Sequence, residues 1–135
     1  MRKIFLPLLF ICLIIPGCVK LGGEFAFKKS VDDKYRKIDC PLEFEKTDKI
    51  KWVYIFNDIK RRYSIGVSLL KKEIVWVDIS NRVVEIKPED KIIYGDIEDL
   101  TDGTYKIILT ESGKIIKEIG FIIFSDQEED YKYNK

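Results

Sequence analysis

The chain has 135 residues, 46% of them apolar and 35% charged, with a net charge of +1. This is room for one domain with a real core, and so balanced a charge gives no case for nucleic acid as a partner. The chain contains no histidine, which excludes Ser-His-Asp and Cys-His catalysis and any His-ligated metal within it. No glycine-rich phosphate loop and no CxxC pair is present, so no cofactor is implied. Paired-carboxylate hydrolysis is the enzymatic chemistry left open.

The N-terminus reads Met1-Arg2-Lys3 followed by an apolar run over residues 4–15. Two positive charges before a short apolar stretch is the architecture of an export signal. As a helix the run would span about 18 Å, short of a hydrocarbon core of roughly 30 Å, and Pro7 and Pro16 break it further. The segment that follows, Ile15-Pro16-Gly17-Cys18, resembles the lipobox of bacterial lipoproteins: an aliphatic residue three before the cysteine, a small residue just before it, then the cysteine. The resemblance implies that residues 1–17 are a signal peptide cut after Gly17. It also implies that Cys18 carries lipid and that the protein sits on the exported side of a bacterial cell membrane or outer membrane. Two or three acyl chains hold durably where one binds marginally. Pro16 departs from the small residues more usual at that position.

Residues 18–39 lack a sustained period and contain Gly22-Gly23, so they are expected to form the lipidated N-terminus and a tether, with one helical turn near 32–36. Between residues 19 and 37 six basic side chains stand against three acidic ones, readable as mildly attractive to an anionic bilayer or as a solvated spacer with no lipid role. Cys12 leaves with the leader and Cys18 is taken up by lipid. Cys40 then remains as an odd thiol, read as a buried free cysteine or as one with an intermolecular partner, burial being the expectation.

The domain is expected over residues 40–125, where apolar spacing follows a period of two and β-branched and aromatic residues crowd the runs. An edge strand is predicted at 42–45. A central strand is predicted at 50–57, with Ile50, Trp52, Tyr54 and Phe56 on one face and Val53 and Ile55 on the other. Tyr63, Ile65, Val67 and Leu69 alternate with polar or small residues in a half-buried strand. Further strands are predicted at 73–79, 82–87 and 91–97. Segments 103–110 and 114–125 form a hairpin across Glu111-Ser112-Gly113, with Gly113 supplying a positive φ. The tail, 126–135, is polar; its Glu128-Glu129-Asp130 cluster lacks the glycine-turned loop of a Ca²⁺ site.

Seven or eight short strands predict a small antiparallel β-sandwich or barrel. Leu100-Thr101-Asp102-Gly103-Thr104-Tyr105-Lys106-Ile107 resembles the start of the penultimate strand of immunoglobulin-like and fibronectin type III-like domains. The resemblance implies that Tyr105 caps the corner through its hydroxyl, that Ile107 enters the core, and that Trp52 or Trp76 is the core tryptophan. The paired cysteines of immunoglobulin chains are missing.

Two clusters are candidate sites. Asp96, Glu98, Asp99 and Asp102 form the one acidic concentration in the domain, readable as a cation or carboxylate-pair site or as a charged inter-strand connection. Lys60-Arg61-Arg62, with Tyr54 and Tyr63 nearby, is readable as a surface for an anionic glycan or headgroup or as a solvated turn. The functional expectation is a non-catalytic module displayed at a membrane, binding another envelope or extracellular protein. The alternative is a lipid or small-ligand carrier with an apolar cavity.

Overall fold

The computed structural model describes residues 21–37 and 42–125. Eight strands form two sheets. The smaller holds β1 (Gly23–Lys29), β3 (Ile50–Phe56) and β6 (Ile92–Ile97) in the order β1-β3-β6. The larger holds β2 (Leu42–Glu45), β4 (Tyr63–Lys72), β5 (Trp76–Ile86), β7 (Gly103–Glu111) and β8 (Lys114–Phe124) in the order β2-β8-β7-β4-β5. Every pairing is antiparallel except β2 on β8.

Alternation puts one face of each sheet into a shared core. From the smaller sheet come Phe25, Phe27, Ile50, Trp52, Tyr54, Phe56, Ile93 and Ile97. Ile65, Val67, Tyr105, Ile107, Leu109 and Phe121 face them from the larger. The predicted faces of β3 hold for Ile50, Trp52, Tyr54 and Phe56 inward and Ile55 outward; Val53, on the outer face, is nevertheless buried. Trp52 is the core tryptophan and Trp76 lies at the surface, 4% and 36% exposed respectively. Gly95, the register partner of Trp52, makes this possible: a Cβ there would lie 2.2 Å from the indole.

Tyr105 is buried and donates its hydroxyl to the Thr101 carbonyl at 2.6 Å, while its ring stacks on Phe121 at 5.5 Å. The tyrosine corner expected from the DGTY segment is therefore formed. The β7–β8 turn has Ser112 at φ 49° and Gly113 at φ 77°. Two successive positive φ values make the mirror-image turn whose twist matches a two-stranded ribbon.

Two expectations are corrected. Residues 18–39 are not simply a tether: Gly23–Lys29 is a strand paired along its whole length with β3. Its apolar residues, Phe25, Ala26 and Phe27, are few and sit among lysines, so the period was too short to register, yet Phe25 and Phe27 are both buried. Nor is there a helical turn at 32–36; Arg36 instead bridges back to Phe27 with hydrogen bonds of 3.0 and 2.8 Å. Second, the strands predicted at 73–79 and 82–87 are one strand, β5, and the reversal falls at 73–75. β4 is long enough to pair with all of it. A bulge absorbs the break in alternation, with Leu69 opposite Ser80 and Leu70 opposite Asp78 so that Ile79 is the extra residue.

Stability should depend on these contacts. A chain beginning at residue 19 should melt cooperatively, whereas one beginning at residue 40 lacks β1 and should lose that transition. Phe27→Ala alone should cost about 3 to 5 kcal/mol in denaturant melts. Tyr105→Phe should cost about 0.5 to 1.5 kcal/mol, and more if the Thr101 carbonyl is left unpaired. The same change at Tyr131 or Tyr133, in the polar tail, should stay within about 0.5 kcal/mol.

Candidate functional site

Gly17, Cys18 and Cys40 lie outside the described residues, as does the tail. The acidic concentration resolves into separate groups: Asp96 ends the outer face of β6, Glu98 and Asp99 follow in the loop, and Asp102 accepts a hydrogen bond from Ser125 Oγ at 2.8 Å. Among the described residues no three carboxylate or thiol groups gather as a metal site would require. The basic triplet lies in the 57–62 connection, where Arg61 stacks on the Tyr63 ring at 4.7 Å and Arg62 approaches Glu85 at 3.9 Å. Tyr54 does not join that surface. It points into the core, its ring edge-on to Phe25 and Phe56.

Strand direction gives the sandwich two unlike ends. The backbone N–H of Asn57 donates to the Gly22 carbonyl at 2.9 Å, and the Tyr54 hydroxyl reaches the Leu21 carbonyl at 3.5 Å. The first described residues therefore emerge beside connection 57–62, at the end that also carries connection 87–91 and the β7–β8 turn. Across 57–62, 87–91 and 111–114 there are six basic and four acidic side chains. The far end carries 30–34, 46–49, 73–75 and 98–102, with seven acidic and three basic. There the β4–β5 hairpin ends in Ile74 and Val75, 100% and 67% exposed. Just behind that tip Trp76 lies between Lys72 and Lys106, at 5.8 and 4.2 Å from their ammonium nitrogens.

The two sides of the sandwich differ as well. At the β1 and β2 edges Phe27 meets Phe44 at 5.8 Å and seals the sheets together. At the β5 and β6 edges the sheets part around a cleft of about 630 Å³, floored by Trp52, Val67, Leu69 and Ile107. One Arg82 guanidinium nitrogen spans the mouth to the Tyr94 carbonyl. The cleft is open to solvent and lined by polar as well as apolar groups.

No protein-family model matches the chain, and no curated protein matches it in sequence. Its fold is similar to that of an immunoglobulin-like protein from Pseudomonas aeruginosa, with a TM-score of 0.51 and 13% identity over 78% of this chain and 95% of that one. With the two-sheet architecture and the tyrosine corner, this defines the chain as an all-β, immunoglobulin-like sandwich.

Sequence reading missed the cleft and its clasp. Arg82 sits in a run predicted as an ordinary short strand, and nothing local distinguishes an arginine aimed between two sheets from one aimed at solvent. The hairpin tip was missed because Ile74 and Val75 belong to an apolar run that reads as strand.

Two tyrosines have pKa values above the usual phenol value. Burial, reinforced by the Glu24 charge, raises Tyr54; burial, with Tyr94 and Asp96 nearby, raises Tyr35. A phenol with a raised folded pKa loses its proton first in the unfolded chain. Stability from this source is therefore complete below the unfolded value of about 10 and falls as pH rises through the folded one. Alkaline titration of the melting temperature should show this decline beginning near pH 10, and Tyr54→Phe should flatten part of it.

Proposed function

We propose that the chain is a lipid-anchored, non-catalytic binding module of the bacterial cell envelope. In this reading it is held by lipid on Cys18 and presents its far end to another envelope or extracellular protein. The observation that carries the reading is the shortness of the link. Strand β1 begins at Gly23, and at most about 11 Å of extended chain separates Cys18 from Leu21. An anchor at Cys18 would hold the sandwich directly on the bilayer, not at the end of a flexible leash.

The distribution of charge supports the same orientation. Leu21 leaves the fold at the end that carries Lys60, Arg61, Arg62, Lys87, Lys91 and Lys114, and each basic residue near an anionic surface contributes about 1 kcal/mol. The opposite, acidic end would then point away from the membrane, carrying the apolar Ile74-Val75 tip. An exposed apolar tip rimmed by charge is a recurring feature of protein-contact surfaces. The histidine-free sequence and the immunoglobulin-like fold support binding over catalysis, the second by analogy of fold alone.

Two measurements test the reading. Mass spectrometry of the N-terminal peptide from membrane-extracted protein should find a cleaved chain with lipid on Cys18; an unmodified Cys18 in the mature chain would sink the anchor. For the orientation, fluorophores at Arg61→Cys or Ile74→Cys, each with Cys40→Ser, can be compared on the lipidated protein in anionic vesicles carrying headgroup quenchers. Strong quenching at 61 and little at 74 is expected. The reverse order would refute the orientation while leaving the anchor standing.

A further inference from the structure

We propose that the cleft between the β5 and β6 edges is a binding site for a small amphiphile with an anionic head, such as a carboxylate on a short alkyl chain. The site is independent of the anchor and of the outward-facing hairpin tip.

The cleft separates into an apolar floor and a mouth of hydrogen-bond donors. Val67 and Leu69 on β4 and Ile107 on β7 belong to the inner face of the larger sheet, and Trp52 opposes them from the smaller. Arg82 and Ser80 are the register partners of Val67 and Leu69, so both project from β5 toward the same interior. One guanidinium nitrogen is fixed by the Tyr94 carbonyl. A guanidinium has five N–H donors in a rigid fork, so the remaining donors are held at the mouth with no carboxylate partner. No ion pair involves Arg82 among the described residues.

Trp52 adds a second donor. Its side chain is buried, yet its indole N–H meets no acceptor among the described residues, and it is not sealed from solvent. The nitrogen edge lies over Gly95, one of the residues that line the cleft; a Cβ at Gly95 would lie 2.3 Å from it. An indole N–H and a guanidinium can only donate, so the complementary ligand atom is an acceptor, and beside an arginine an anionic one. The one carboxylate on the rim, Asp96, is the register partner of Lys51, so these two charges offset each other and leave Arg82 to set the sign of the mouth.

The same clasp disfavours an added peptide strand. The Tyr94 carbonyl faces the free edge of β6, and it is the acceptor that an incoming strand would need. Arg82 already occupies it. A volume of about 630 Å³ lies within the range of small-molecule sites, which combine an apolar lining with a few placed polar groups.

The test uses residues 19–135, which carry every described residue, and follows the two tryptophan indole N–H resonances by NMR. Trp76→Phe assigns them. Titration with octanoate should move the Trp52 resonance saturably and leave Trp76 in place, and 1-octanol should bind more weakly. Arg82→Gln should weaken octanoate about tenfold, the loss of a charged hydrogen bond, while changing octanol by less than twofold. A Trp52 resonance unmoved by millimolar octanoate would overturn the proposal for the unmutated protein, whatever the variant does. Movement of Trp76 alone would overturn it too, as would equal binding of octanoate and octanol with equal loss in Arg82→Gln. None of these outcomes depends on whether Cys18 is lipidated.

Discussion

The sandwich hangs on a continuous row of aromatic rings that crosses from one sheet to the other. It runs from Phe56 to Tyr54 at 4.8 Å, to Phe25 at 4.9 Å, to Phe27 at 6.2 Å, to Phe44 at 5.8 Å, and then through Phe121 to Tyr105 at 6.0 and 5.5 Å. Most pairs are tilted or edge-on, the arrangement the ring quadrupole favours, and each contributes about 0.5 to 1.5 kcal/mol beyond burial. Four rings belong to the smaller sheet and three to the larger. The crossing is made where the N-terminal segment gives β1 to one sheet and β2 to the other.

Sealing one side so firmly leaves the other side to less. The five-stranded sheet carries β5 out to an edge whose residues are exposed nearly throughout, with Ile86 as the buried exception. The larger sheet thus overhangs the smaller, and apolar filling stops at Trp52 and Leu69. Beyond them the gap is bridged by one arginine. An inward-pointing charge on an edge strand also disfavours edge-to-edge pairing, so Arg82 can both close the sandwich and protect β5. The cleft is therefore a consequence of unequal sheet widths. The chemistry of its mouth follows from the residue that closes it.

With the anchor proposed at Cys18, the same chain path would link fold to membrane geometry. Because β1 pairs with β3 along its whole length, only four residues separate Cys18 from it in sequence, and Leu21 lies at the end bearing Lys60, Arg61 and Arg62. Had residues 18–39 formed a long tether, the sandwich could take any orientation, and the charge difference between its ends would matter little. As a strand, β1 would turn an anchor at Cys18 into a directional constraint. The Lys60-Arg61-Arg62 run, ambiguous as a local feature, gains a meaning from its position beside the chain's point of exit.

Much was legible in the sequence by itself. The period of two located β3, β4, β6, β7 and β8, because a strand with one face in a core must alternate. Asp102-Gly103-Thr104-Tyr105 marked the corner, because a buried phenol needs a nearby backbone acceptor and a tight turn supplies one. The lipobox-like segment is a linear signal, and its reading never depended on the fold. Tertiary structure decided the rest. Phe25 and Phe27 became core only through pairing with β3, and Trp52 rather than Trp76 was buried because Gly95 lies opposite it. Segments 73–79 and 82–87 became one strand because β4 was long enough to hold both. Arg82 acquired its place between the sheets from their unequal widths. These depend on residues far apart in sequence coming together, and local spacing carries no record of that.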